Sequence, residues 1–314
     1  MIALSTLTLD MFRIAYAHQT EHLSGVAGRL IGPLRGHSPG GDPVGSGAEI
    51  RLARLFDGGS NAIVAAIDHG LYNGPRPGFE DLSAVVDRLT GADAILLSPG
   101  MAPHLASAFS RRGAPAMLVR LNWGTQYATQ WNYRESRSVP MISAAGAIAL
   151  GADVVLVGMS IKTGSEAVDA ENVAMVARCV AEARAAGVPI VGEVYPAGHE
   201  DVTPEERHEV ISIGCRIVAE LGADLVKTFH TGARFAEIVR STPVPVLALG
   251  AKKLPREVDA LELAATAVRD GARGVVFGRN LVGARDPVRF MAALQDVVKH
   301  GADPSAAAAK HGLE

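Results

Sequence analysis

The chain of 314 residues carries only two cysteines, Cys179 and Cys215. Both fall in segments that read as helices, so they are expected as small core residues rather than a disulfide pair or metal ligands. Neither sign of charge dominates: 30 Lys and Arg against 33 Asp and Glu leave a formal net charge of -3, which offers no basic surface for nucleic acid. The first residues lack a basic region followed by an apolar core, because Asp10 and Arg13 interrupt the only candidate, and no cleavage pattern follows. A cytoplasmic protein is expected. The longest apolar stretch, Met141 to Met159, is broken by Gly151 and Asp153 and reads as a helix followed by a strand, not a membrane span. There is no G-x-G-x-x-G dinucleotide turn, and His69, His104 and His199 lie on different loops without a ligand spacing, so no metal or other cofactor is expected.

With 48% hydrophobic and 20% charged residues, the composition is that of a globular protein. The length suits one eightfold βα barrel plus an extension. The chain divides at about Ser60. Before that point Ile31 to Pro43 is dense in Gly and Pro and reads as an irregular arm, giving an expected N-terminal extension over 1–60, a barrel over 61–300 and a tail over 301–314. Beyond Ser60 a cycle repeats: a short apolar run, a Gly-rich or polar tip, then an amphipathic stretch ending in Gly-Ala-Asp or Gly-x-Pro.

Eight apolar runs are strand candidates: Ala62 to Ile67, Ala94 to Leu97, Ala116 to Leu121, Val154 to Val157, Pro189 to Val194, Leu225 to Lys227, Val244 to Leu249 and Gly274 to Phe277. Near-continuous apolar strands are the mark of a parallel sheet covered on its faces, and the spacing leaves room for one crossover helix each, such as Glu171 to Ala186, Glu205 to Leu221 and Arg256 to Asp270. The fold class is therefore α/β, a (β/α)8 TIM barrel, whose chemistry is drawn from strand carboxyl ends and the loops after them.

Lys227 ends an apolar strand, where a lysine facing the barrel mouth between apolar walls would be desolvated toward the free amine that attacks carbonyls; a strand-end lysine can also reach to solvent. Asp68 and His69 follow the first strand, and Asp68 is either a base at the mouth or a helix cap. Arg120 ends the third strand, either facing a polar substrate or held in an ion pair that shapes the barrel. Glu193 and Tyr195 share one side of the fifth strand by its period of two, and Tyr195 is a proton donor or a packing residue. His230 and Thr231, after Lys227, read as loop residues. Gly250 and Ala251 follow the seventh strand, and Gly278 and Arg279 the eighth. Their small size and the Arg279 fork suit an anion, as in barrel phosphate sites, although the glycines also suit plain tight turns.

From about Arg51 to His300 the chain resembles the Schiff-base aldolases, the deoxyribose-phosphate aldolase and archaeal-type class I fructose-bisphosphate aldolase family, which also includes aminodideoxyheptulosonate synthase and the autoinducer-2 thiolase. Asp68-His69-Gly70, Tyr195-Pro196, Val226-Lys227 and Gly278-Arg279-Asn280 carry the likeness. The resemblance implies that Lys227 forms the imine, Asp68 assists carbinolamine and hydroxyl chemistry, Tyr195 moves the proton at the nascent carbanion, and Gly250, Gly278 and Arg279 hold phosphate. It also implies a homo-oligomer, with a decamer among the family's assemblies. The chain departs from the fructose-bisphosphate aldolases at Glu193, where they carry Trp two residues before the tyrosine, and at Leu249 to Lys253, where they carry Ser-Gly-Gly-Pro-Lys.

Three functions follow. The first is a lyase acting on a phosphorylated sugar or ketone, with dihydroxyacetone phosphate as donor, Lys227, Tyr195 and Asp68 as catalytic residues, and His69, Arg120, Glu193, Gly250, Ala251, Gly278 and Arg279 as substrate contacts. The second is a thiolase passing an acyl group from a phosphorylated diketone to coenzyme A, which Lys252-Lys253-Leu254-Pro255 and Lys227-Thr228 favour, whereas Tyr195 favours aldol chemistry. The third is a non-catalytic phosphate-binding barrel.

Overall fold

A computed structural model describes residues 45–133, 135–198 and 202–313. The arm over Ile31 to Pro43 and the loop residue His199 lie outside them. Eight strands close into a parallel barrel. In chain order these and two further strands are β1 (Ala62–Ala66), β2 (Ala94–Leu97), β3 (Ala116–Arg120), β4 (Asn122–Gly124), β5 (Ser138–Pro140), β6 (Val154–Met159), β7 (Ile190–Val194), β8 (Leu225–Phe229), β9 (Val246–Leu249) and β10 (Gly274–Phe277). The barrel runs β1-β2-β3-β6-β7-β8-β9-β10 and back to β1. Each apolar run identified in the sequence becomes one barrel strand, with ends moved by a residue or two.

Alternation along each strand divides the core in two. One set, including Ala62, Val64, Leu96, Leu118, Leu156, Val191, Leu225, Leu247 and Val276, fills the barrel interior. The other, including Ile63, Ile95, Val119, Val155, Ile190, Val226 and Val275, packs outward against the helices. The recurring Gly-Ala-Asp has a structural use. Asp93, Asp153 and Asp224 precede β2, β6 and β8, and their carboxylates accept hydrogen bonds from the N–H groups of Ile63, Met117 and Ile190 at the starts of the neighbouring strands β1, β3 and β7, at 2.7, 3.0 and 2.9 Å.

Three features depart from the expected layout. Residues 45–55, assigned from sequence to the arm, form a helix (Gly45–Leu55), and Leu55 and Phe56 belong to the barrel's interior core, so that segment packs with the barrel. The tail is also built in: a helix (Pro304–His311) buries Ala307 and Ala308, and Lys310 and His311 both reach Asp296 at 2.7 and 2.9 Å. Between β3 and β6 the chain makes an excursion in which β4 and β5 pair as an antiparallel hairpin. Among the described residues no helix is long and apolar enough to cross a membrane. The two thiols sit in the core, where burial pushes Cys179 up to about 11 and Cys215 to about 12, so both remain protonated.

Candidate active site

The inward-facing sets continue past the apolar layers into charge at the carboxyl end of the barrel. On β1 the alternation Ala62, Val64, Ala66 leads to Asp68; on β3 Ala116 and Leu118 lead to Arg120; on β7 Val191 leads to Glu193; on β8 Leu225 leads to Lys227. Strand register does the rest. Glu193 and Lys227 are partners across β7 and β8, and their side chains meet with Lys227 Nζ 2.5 Å from Glu193 Oε1. Arg120 joins the remaining carboxylates, with Nε 2.6 Å from Asp68 Oδ2 and Nη2 2.7 Å from Glu193 Oε2. The four groups are 5, 2, 2 and 6% exposed for Asp68, Arg120, Glu193 and Lys227, so two anions and two cations neutralise one another out of water.

The surroundings of Lys227 therefore differ from the apolar walls expected of it. Its amine is desolvated but tied to a carboxylate, so becoming a nucleophile requires that a proton leave along that contact. Arg120 is the shared partner rather than an exposed cation. Burial alone would raise the proton affinity of Glu193, but Arg120 and Lys227 outweigh it and bring its pKa down to about 2. The same contest, burial against Arg120 and Lys227, ends with Asp68 below the usual carboxylate range. Both carboxylates are thus ionised at neutral pH.

Tyr127, which the sequence reading did not single out, completes this cluster. It stands in the excursion after β3, and its Oη donates to Glu193 Oε2 at 2.7 Å. Its ring covers the Arg120 guanidinium at 4.9 Å and contacts the rings of Tyr72 and Tyr195 at 4.5 and 4.7 Å. The space for it comes from Gly158 on β6, whose Cβ would strike the Tyr127 hydroxyl and approach Arg120 Nη1 to 3.2 Å. The local signal for this close approach was the glycine that interrupts the apolar run Val154–Met159. Asn122 fixes the same strand end, exchanging hydrogen bonds with the Gly158 N–H and C=O at 2.7 and 2.9 Å.

Tyr195 follows β7 on the side of Glu193, as its spacing implies, with its ring 4.7 Å from Tyr127 and 5.0 Å from Phe229. The Gly278 turn packs beside the His69 ring, since a Cβ there would run into that ring and lie 2.6 Å from the Ala66 carbonyl. Burial, aided by Arg279 and Lys227 and opposed by Asp68, brings the pKa of His69 to about 4, so its imidazole is neutral at pH 7. Beside the Gly278 turn, Gly250 follows the adjacent strand β9, its N–H donating to the Val276 carbonyl at 3.1 Å. The Asn280 side chain ties the two turns together, donating to the Gly250 carbonyl at 2.7 Å and accepting from the Leu254 N–H at 2.8 Å. Ala251 holds φ at 50°, a left-handed conformation that costs on the order of 1 kcal/mol for a non-glycine residue. Lys253 is committed to the Gly283 carbonyl.

His230 and Thr231 are engaged beside this site rather than in it. His230 Nε2 pairs with Asp270 at 2.9 Å, and Thr231 Oγ1 meets His208 Nδ1 at 2.9 Å, which anchors the loop that follows Lys227.

The family model for DeoC/LacD family aldolases matches residues 62–283. The chain is 30% identical over 262 residues to an uncharacterized aldolase of Saccharolobus solfataricus, covering 82% of this chain and 96% of that protein. It is 29% identical over 263 residues to a 3-hydroxy-5-phosphonooxypentane-2,4-dione thiolase of Yersinia pestis, covering 83% of this chain and 85% of that one. Among solved structures it is similar to an archaeal fructose-1,6-bisphosphate aldolase with its catalytic Lys covalently bound to the carbinolamine intermediate of the substrate, at TM-score 0.68 and 28% identity, covering 79% of this chain and 98% of that one.

Proposed function

The chain belongs to the DeoC/LacD family of aldolases, and on that premise we propose that it is a Schiff-base lyase that breaks or forms a C–C bond in a phosphorylated ketose, with dihydroxyacetone phosphate or a similar ketone as donor. The observation that carries this reading is the buried Lys227 amine at the barrel's carboxyl end, 2.5 Å from a carboxylate able to accept its proton.

In this reading the Lys227 ammonium passes a proton to Glu193, and the free amine adds to the ketone carbon while the carbonyl electrons move to oxygen. That oxygen leaves as water with the two protons that Nζ gives up, and the nitrogen lone pair forms C=N⁺. The protonated imine then accepts the electrons of the adjacent C–C bond. Asp68, ionised and held by Arg120, takes the proton from the hydroxyl on the departing carbon, whose C–O becomes the carbonyl of the aldehyde product. Tyr195 gives the resulting enamine carbon its proton. Each such transfer is worth about 10²- to 10⁴-fold. Gly250, Ala251, Gly278 and Arg279 hold the phosphate, with neutral His69 beside them.

Intact-mass spectrometry after borohydride reduction in the presence of dihydroxyacetone phosphate tests this reading. A stable adduct is expected with the wild type and none with Lys227→Met; no adduct across a set of phosphorylated ketones would refute it. A second reading, a thiolase acting on a phosphorylated diketone, is favoured by the named Yersinia relative. It requires that turnover depend on an added thiol such as coenzyme A, whereas the lyase turns over without one.

A further inference from the structure

The two oxygens of Glu193 have different partners. Among the described residues Oε1 pairs with Lys227 Nζ, at 2.5 Å. Oε2 accepts from Arg120 Nη2 at 2.7 Å and from Tyr127 Oη at 2.7 Å. We propose that Tyr127 is a positioning residue for imine formation: by holding Oε2 it orients Glu193 so that Oε1 alone carries the two protons, one after the other, from Lys227 Nζ to the departing carbonyl oxygen. The inference rests on the Schiff-base reading and adds to it a residue from outside the barrel strands.

Several contacts fix the hydroxyl where it is. Guanidinium stacking sets the ring's height over Arg120, the rings of Tyr72 and Tyr195 flank it, and the bare backbone of Gly158 lies against Oη. The excursion that delivers the ring is itself tied down. Asn73 donates to the Tyr127 carbonyl at 3.2 Å, the Thr125 N–H donates to the Arg137 carbonyl at 2.9 Å, and the buried Asn172 side chain donates to the carbonyls of Ser136 and Ser160 at 2.7 and 3.0 Å. Tyr127 remains a donor at any working pH, because burial and then Glu193 push its phenol well above its ordinary range. The charged and titratable groups facing this pair are Arg120, Lys227, Asp68 and Tyr72, together with Tyr195, whose ring lies 4.7 Å from that of Tyr127. A ring without the hydroxyl would still cover Arg120, so the packing role and the proton-directing role can be separated.

The test compares the wild type, Tyr127→Phe, Glu193→Gln and the double variant in single-turnover borohydride trapping with dihydroxyacetone phosphate, as a function of pH. With Tyr127→Phe the trapping rate at neutral pH is expected to fall on the order of 10-fold, the equivalent of one hydrogen bond to a charged group, with the ketone concentration for half-maximal rate essentially unchanged. The hydroxyl helps keep Glu193 ionised, so its loss makes Glu193 easier to protonate and moves the acid limb of the rate profile to higher pH. On the Glu193→Gln background the same change should have no further effect. Should Tyr127→Phe fold poorly, Tyr127→3-fluorotyrosine keeps the bond with a stronger donor and should move the acid limb to lower pH. A wild-type rate and acid limb in Tyr127→Phe, or its full effect persisting on Glu193→Gln, would overturn the inference while leaving the Schiff-base reading intact. Absence of any adduct in the wild type would instead remove that reading, and the inference with it.

Discussion

Arg120→Leu is the perturbation that the buried cluster makes most informative. Arg120 is 2% exposed and holds Asp68 at 2.6 Å and Glu193 at 2.7 Å. Leucine leaves Glu193 with Lys227 but leaves Asp68 without its cation. Removing one partner of a buried pair costs about 3 to 5 kcal/mol. At about 2.1 cal/mol/K of unfolding entropy per residue, over a domain of this size that is a fall in melting temperature of roughly 5 to 9 °C. The pH dependence supplies a second check. Glu193 has its folded pKa depressed to about 2, against burial, by Arg120 and Lys227, and Asp68 is depressed by the same cations. Stability from depressed carboxylates is present in full above their unfolded values near 4 and is lost as pH falls through the folded ones. The wild type should therefore lose this contribution between about pH 5 and 2. The variant has less of it to lose, so the gap between the two proteins should be widest at neutral pH and narrow on acidification. Thermal melts followed by circular dichroism from pH 3 to 8 read both effects. A variant that melts within about 2 °C of the wild type at pH 7 would refute the view that Arg120 compensates these charges.

Two further outcomes are expected. Gly278→Ala puts a methyl against the His69 ring and 2.6 Å from the Ala66 carbonyl, so overpacking should lower stability by about 1 to 3 kcal/mol and raise KM for phosphorylated substrates more than for unphosphorylated analogues, measured by steady-state kinetics and denaturant titration. Asn172→Ala leaves the Ser136 and Ser160 carbonyls without their buried donor; a loss of about 1 to 3 kcal/mol is expected, and hydrogen exchange should accelerate in the excursion between β3 and β6 before it does in the barrel strands.

Much of the architecture is written locally. Runs such as Ala62–Ala66 and Val154–Met159 are apolar on both faces because a barrel strand is covered on both, and that periodicity survives without knowledge of any partner. The helix that begins at Glu166, five residues ahead of the expected start, shows the limit of reading boundaries from apolar spacing. Ser165 caps it by accepting from the Val168 N–H, a bond that belongs to the folded backbone.

The site divides along the same line. That Asp68, Arg120, Glu193 and Lys227 stand at inward positions at strand ends follows from a period of two applied to single strands, with no neighbouring strand needed to derive it. Which of them touch was decided by barrel closure: the register that pairs Glu193 with Lys227 couples positions far apart in the chain, and no local pattern carries that information. Tyr127 entered the site through a hairpin excursion whose strands are only three residues each, too short to stand out from a loop in the sequence. Its place against Glu193 depends on the missing side chain of Gly158, on a different strand. Alternation is a property of one strand's covalent geometry, whereas the ion pairs and the phenol contact depend on where distant strands end relative to one another, and only the tertiary structure sets that.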